Sequence, residues 1–390
     1  MQTKNISLIQ CFFRQAFTLM VCSVLLATSC NPEKKPSNLQ RAVLIYMATD
    51  NSLNSEAYYN IAALKMGFIP ANGHILVYHD AQDAAPRLFT LEKEGSTIVE
   101  KLIEEYPEEN SATPAVLSRT LLRMRELYPA EDYGLILSSH ATGWLPRNLY
   151  SMSLRSRSAL VGQDYPKVKG FGEDQGTEMD LADLAASIPY HLSFIMFDAC
   201  LMGGVEVAYA VKDVTDYIIA APTEVLSEGF PYEQIMQPMF LPQPNLPAVC
   251  DAFYNLYNAQ SGLFRSATVA LYATVGLPEL AATLKPIFAA HRAAIAEINR
   301  SGVQRYDRLT NTVFFDLDDF VKQLATPSEY ALFTAALNKV VAYKRATSNF
   351  IEIPIEKYGG IATYIPRLTP ASLNEAYKNT AWNKAVVLVE

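Results

Sequence analysis

The stretch Phe194-Ile195-Met196-Phe197-Asp198-Ala199-Cys200 constrains the fold of this chain more than any other. Four apolar residues in a row, bounded by polar ones, read as a strand covered on both faces, the signature of a parallel sheet between helical layers. Gly203-Gly204 then open a helical pattern carrying Val205, Val207, Ala208 and Val211. Cys200 therefore sits between a strand's carboxyl end and a helix N-terminus. Open α/β sheets place their ligands there, and the helix dipole favours a thiolate. A buried, inert thiol fits the same pattern, because free Cys is among the most buried residue types.

Tyr133-Gly134-Leu135-Ile136-Leu137-Ser138-Ser139-His140 is a second run of this kind, followed by Ala141-Thr142-Gly143-Trp144. Of the five histidines, only His140 directly follows such a strand. Neighbouring parallel strands ending in His and Cys bring imidazole and thiol to one rim of the sheet, as a cysteine nucleophile with a general base requires. Asp198 lies two residues before Cys200, and side chains at i and i+2 of a strand share a face. Its carboxylate is expected on the thiol's side, either at the entrance of a pocket there, or capping the following helix or bonded to backbone amides. Glu224, after a strand over 217–220, is a second acid placed for the same rim. Asp50 and Asn51 end the first strand and read as turn formers.

The rest of the chain repeats the same unit. Strands over 41–48 and 73–79 enclose a helix over 56–65. Thr113 as N-cap, with Pro114 at the first helical position, starts another helix. A helix over 181–188 leads into the Cys strand. This βα order predicts a three-layer α/β/α sandwich with a mostly parallel sheet over 41–240. Beyond Phe240, helices are expected over 246–259, 278–298 and 328–344, and strands over 267–273 and 361–365. They form an additional α/β C-terminal region, 241–390, packed on the catalytic domain.

Residues 1–29 stand apart. Lys4 and Arg14 precede an apolar run over 16–26, too short to span a bilayer and of the length of a signal h-region. The run ends in Leu26-Ala27-Thr28-Ser29-Cys30. This resembles a bacterial lipoprotein signal with Cys30 as the lipidated residue, although Leu26 stands four residues before the Cys rather than three. An ordinary secretory leader is the alternative. Residues 30–40 form a polar tether. The formal charge of −8 becomes more negative once Lys4 and Arg14 leave with the leader, and no basic run offsets it, so nucleic acid is not an expected partner. Export removes Cys11 and Cys22, leaving Cys200 and Cys250 as free or mutually bridged thiols. No metal-ligand spacing stands out; no cofactor is expected, and calcium is not indicated.

Ser139-His140-Ala141-Thr142-Gly143-Trp144 and Phe197-Asp198-Ala199-Cys200-Leu201-Met202 resemble the His and Cys motifs of the clostripain family of cysteine peptidases. That family belongs to the caspase-like group with gingipains, legumain and separase. Met47-Ala48-Thr49-Asp50-Asn51-Ser52-Leu53 resembles its first strand and loop, and segments at 171–174, 178–181, 221–224 and 229–232 resemble Bacteroides-type lipoprotein members. The resemblance implies a caspase-like fold and a dyad in which Cys200 attacks a peptide carbonyl while His140 handles the proton. It implies an oxyanion held by the backbone N–H groups of Ala141 and Cys200. It also implies a P1 Arg or Lys bound at Asp198, with Glu224 as a second acid. The expected partner is a protein or peptide substrate. Membrane contact is expected only through the N-terminal lipid, on the bacterial cell envelope, at its outer membrane. Many members carry Gly after the His, and here it is Ala141; if that position needed φ > 0, a side chain would strain it. A catalytically silent lipoprotein that binds protein or glycan through the same fold is the alternative. The stretch 147–175 holds Arg147, Arg155, Arg157, Lys167 and Lys169 without clear periodicity. Such a loop is a candidate for self-cleavage, or an uncut excursion that helps build the substrate cleft.

Overall fold

The computed structural model of the chain describes residues 41–145, 179–367 and 371–390. Its centre is a sheet that begins with β1 (Arg41–Thr49), whose nine residues are all buried. The chain continues through α1 (Asn54–Gly67), β2 (Gly73–Ala81), β3 (Ala84–Glu94), β4 (Thr97–Glu105), α2 (Pro114–Leu127) and β5 (Asp132–Ser138). Then come α3 (Leu181–Ala186), β6 (Leu192–Asp198), α4 (Val205–Val211), β7 (Thr215–Ala220), α5 (Tyr232–Met239), α6 (Leu246–Asn258) and β8 (Thr268–Ala273). The last strand of this sheet in chain order, Val341–Ala346, pairs with β8.

Among the described residues the sheet has nine strands, in the order Val341–Ala346, β8, β7, β6, β5, β1, β2, β3, β4. The five central strands, β7-β6-β5-β1-β2, are parallel, and the pairs outside them are antiparallel. Helices α1, α5 and α6 pack consecutively on one another, and α2, α3 and α4 form a second such series. Burial on both faces explains why β6 reads as an unbroken apolar run: Phe194, Ile195, Met196 and Phe197 are each at most 1 % exposed. Each such side chain contributes about 1.5–3 kcal/mol of burial free energy.

Chain order reverses direction across the sheet between β1 and β5, the position where open α/β sheets open a crevice at the strands' carboxyl ends. The hairpin β3–β4 was not anticipated from sequence. Its strand β4, at the sheet edge, holds only exposed and half-buried residues, so it has no continuous apolar run to mark it. Beyond Phe240 the chain shares the sheet rather than only lying against it, since β8 and Val341–Ala346 extend it. The helix expected over 278–298 breaks at His291 into Leu277–Ala290 and Arg292–Glu297, and that over 328–344 ends at Val340. The strand expected over 361–365 shortens to Ala362–Thr363. Thr113 does precede α2, but its hydroxyl donates to Asn110 O at 2.9 Å rather than capping an amide.

Candidate active site

Register brings the two motifs together. Ser138 of β5 pairs with Asp198 of β6, so His140 and Cys200 each stand two residues past a matched pair on adjacent parallel strands. The loops behind them touch backbone to backbone. Gly143 has φ +63°, and a Cβ there would lie 2.7 Å from Leu201 O and 2.9 Å from Phe314 Cε1. Leu201, directly after the thiol, is also left-handed at φ +61°, and its N–H donates to Thr223 O at 2.9 Å. A non-glycine residue there costs on the order of 1 kcal/mol, held by the surrounding hydrogen bonds. Ala141 is not left-handed: among the described residues the non-glycine positions with positive φ are Leu201, Ile351 and Val387. The residue after the His therefore carries no strain of the kind that would demand glycine.

His140 is buried, and its Nε2 lies 3.2 Å from Ser52 Oγ in the loop after β1. Ser139 ties the His loop to the end of β1 by donating to Ala48 O at 2.9 Å. Asn51 forms the expected turn, its Oδ1 accepting from Leu53 N–H at 2.9 Å. Sequence reasoning missed Ser52, though the segment carrying it had been singled out. Cys200 is 1 % exposed; its Sγ accepts from Val225 N–H at 3.1 Å and faces Val225 O at 3.6 Å. Cys250 is likewise a free thiol, buried in α6, where desolvation pushes its pKa up.

The two acids fare differently. Asp198 is buried; Ser138 Oγ donates to its Oδ2 at 3.2 Å, Tyr232 Oη to the same atom at 3.0 Å, and Phe230 N–H to its Oδ1 at 3.3 Å. Two hydroxyls and one backbone amide thus hold the carboxylate in the interior. Burial first, and then the charge of Asp198, raise the Tyr232 hydroxyl well above its ordinary pKa. Glu224 is gripped by Arg308, with Nε 2.5 Å from Oε2 and Nη2 2.8 Å from Oε1, in a pair 0 % and 9 % exposed. A substrate cation would have to displace that guanidinium, which weakens the case for Glu224 as a P1 acid. Nothing local in the sequence signalled Arg308, which lies 84 residues from its partner.

Arg308 belongs to a loop organised by Asp307, whose carboxylate accepts from the amides of Leu309, Val313 and Phe314 at 2.9, 2.8 and 2.7 Å. Burial pushes its pKa up to about 7. Trp144 packs on Tyr364 and Tyr377 at 4.9 and 4.8 Å between ring centroids. Glu206 Oε1, at the start of α4, accepts from Thr363 Oγ1, Tyr364 N–H and Tyr377 Oη at 3.0, 3.0 and 2.7 Å. An acid in an otherwise apolar helix, Val205–Val211, was the signal available for Glu206. A cavity of about 510 Å³ opens beside His140, with Ser138, Thr142, Trp144, Phe197 and Met202 in its wall; Cys200 does not line it. Among the described residues, no cluster of three or more His, Cys, Asp or Glu suits a metal, and no helix is long and apolar enough to cross a membrane. Cys30 and the stretch 147–175 lie outside the described residues.

A parallel sheet with His and Cys at the ends of neighbouring strands, flanked by helices, is the layout of a caspase-like cysteine peptidase. The clostripain family profile matches residues 45–380. The chain belongs to that family and is a cysteine peptidase of it. It is similar to an inactive zymogen of a C11 protease from Parabacteroides distasonis, at 34 % identity and TM-score 0.77, covering 89 % of this chain and 97 % of that one. A secreted C11 cysteine protease from Bacteroides thetaiotaomicron, called iotapain, matches at 28 % identity and TM-score 0.75 over 89 % and 99 % of the two chains. A secreted C11 cysteine protease from the same organism, solved with an irreversible peptide inhibitor, shares the fold at 24 % identity, TM-score 0.75 and the same coverage. No curated protein matches the chain in sequence.

Proposed function

We propose that the protein is an endopeptidase working through a dyad of Cys200 and His140. The observation that carries this reading is the Ser138–Asp198 register, which sets both residues at the same height on adjacent strands. In this mechanism Cys200 Sγ attacks the scissile carbonyl carbon and His140 delivers the proton to the leaving amine. The resulting thioester is hydrolysed by water. The N–H groups of Ala141 and Cys200 hold the oxyanion; Ala141 is able to serve because its backbone is not left-handed. Cleavage follows Arg or Lys. Asp198 supplies the negative charge beneath the pocket, where an uncharged P1 side chain would leave that charge unanswered. The substrate is a protein or peptide, in keeping with the peptide inhibitor bound to the Bacteroides relative. Lipidation at Cys30 anchors the enzyme to the outer membrane of the cell envelope.

The 1 % exposure of Cys200 favours one refinement: the thiol is covered in this state and must be uncovered before it reacts. A catalytically silent protein shares that feature. Labelling separates the two readings. An acyloxymethylketone probe carrying P1 Arg or Lys should modify Cys200 in wild-type protein and fail on Cys200→Ala. His140→Ala should lose peptidase activity to a similar level, since members of a catalytic unit are not additive. Wild-type protein that cleaves no Arg or Lys peptide, and takes up no probe even after limited proteolysis, would favour the silent reading.

A further inference from the structure

A second cavity, about 500 Å³, lies in the C-terminal half and shares no lining residue with the one beside His140. Arg300, Arg305, Arg367 and Lys357 line it, against a single carboxylate, Glu356. Lys357 is already paired with Asp319 at 2.7 Å. The three arginines are not paired: among the described residues no carboxylate lies within ion-pair distance of any of them.

Their hydrogen bonding is also incomplete. Arg300 Nη2 donates to Pro366 O and Arg367 Nη2 to Thr312 O, both backbone carbonyls. The Nε–H of each is buried without an acceptor. Burial, and then the like charge of Arg367, lower the pKa of Arg300. A guanidinium stays charged in a protein, so two of them held together with unused donors form a site lacking its anion. Loss of that much hydrogen bonding is costly unless something else supplies the acceptor.

We propose that this cavity is an oxyanion subsite in which Arg300 and Arg367 grip a carboxylate or phosphate group between them and Arg305 guards the mouth. Charge-assisted bonds to a planar fork are the strongest such contacts, and either oxyanion fits them. The preferred source is an acidic side chain of a bound polypeptide. Thr310, Asn311 and Thr312 of the cavity wall belong to the loop whose Arg308 holds Glu224 and whose Phe314 meets Gly143. A chain lying across the catalytic rim would therefore run toward the cavity. The alternative source is a small free oxyanion.

The test is binding, so it stands whether or not the dyad assignment holds. Full-length protein is titrated with inorganic phosphate by calorimetry at constant ionic strength, and with a fluorescein-labelled hexaglutamate peptide by anisotropy. Saturable phosphate binding that weakens by about tenfold or more in Arg300→Gln/Arg367→Gln supports the site. Peptide binding displaced by phosphate assigns it to an acidic polypeptide segment, and phosphate binding alone assigns it to a free oxyanion. If the double variant does not fold, Arg305→Gln decides, because that side chain makes no hydrogen bond among the described residues; binding should fall several-fold with an unchanged melting temperature. No saturable phosphate binding, or equal affinity in wild type and variant, overturns the proposal.

Discussion

Replacing Arg308 with Met tests whether the loop from the C-terminal half holds the Cys side of the site in place. The guanidinium meets Glu224 through two contacts of 2.5 and 2.8 Å, and neither side chain is more than 9 % exposed. Removing it leaves a carboxylate buried without its cation, which costs about 3–5 kcal/mol. Removing both partners, as in Glu224→Leu/Arg308→Met, leaves no stranded charge and should fall within about 1 kcal/mol of wild type. Each single variant strands a buried charge and the double variant does not, so the coupling free energy from a double-mutant cycle, read from urea unfolding of the four proteins, is expected to exceed about 3 kcal/mol. Glu224 precedes Val225, whose backbone contacts the thiol on both its donor and acceptor sides. Arg308→Met should therefore also lower kcat/KM by about a hundredfold, through displacement of that segment by an ångström or less. A loss under about 1 kcal/mol in Arg308→Met, or a double variant no better than the single, would refute the reasoning.

Gly143→Ala must fit a methyl 2.7 Å from Leu201 O at φ +63°, so kcat/KM should fall about a hundredfold while circular dichroism stays native; a variant of full activity would show that the loops tolerate separation. His79 is fully buried, and desolvation lowers its pKa to about 4 from 6.5. A depressed histidine contributes stability that is present above pH 6.5 and lost as pH falls toward 4. About 3 kcal/mol should disappear across that window in wild type, and the slope should flatten in His79→Phe; identical pH–stability curves would remove His79 from the account. Purified wild-type protein should split within 147–175 into two associated chains while Cys200→Ala stays whole on denaturing gels. An unsplit wild type, together with full activity in a variant carrying Gln at all five basic positions of that stretch, would exclude self-cleavage there.

How much was legible follows from the range of the forces involved. β5 and β6 are buried on both faces, so their apolar runs announce both the strands and the chemical residues at their ends. The hairpin β3–β4 has no such run: β4 lies at the sheet edge with no buried residue, and in β3 the buried stretch, residues 88–91, is interrupted by Thr90. Helix ends such as the break at His291 are set by what packs against them, which no local pattern records. The same limit applies to the acids. The period of two along a strand puts Asp198 on the thiol's face, yet its donors, Tyr232 and the Phe230 amide, come from 34 and 32 residues away, where no local pattern records them. Glu224 was read as an open rim acid because Arg308, in a loop with no periodicity, gave no sign of reaching it.

That long-range closure gives the C-terminal half a physical task. The His loop and the Cys loop both end on it: Trp144 packs at a tilt against Tyr364 and edge-on against Tyr377, and Glu206, six residues after the thiol, bonds Thr363, Tyr364 and Tyr377. Gly204 bridges to Ala362 in parallel fashion, and Gly203 O accepts from Ala362 N–H at 2.9 Å. Residues 362–364 and Tyr377 thus touch the loops that follow both members of the proposed dyad, while Phe314 closes on Gly143 from the other loop. The sheet sets the height of His140 and Cys200 through strand register. Their lateral spacing depends on glycine-lined turns, which have little stiffness of their own. A catalytic pair needs its geometry held to within a fraction of an ångström. Residues after 300 supply that constraint through Phe314, Ala362, Tyr364 and Tyr377, each of which packs against a loop at the carboxyl ends of β5 and β6.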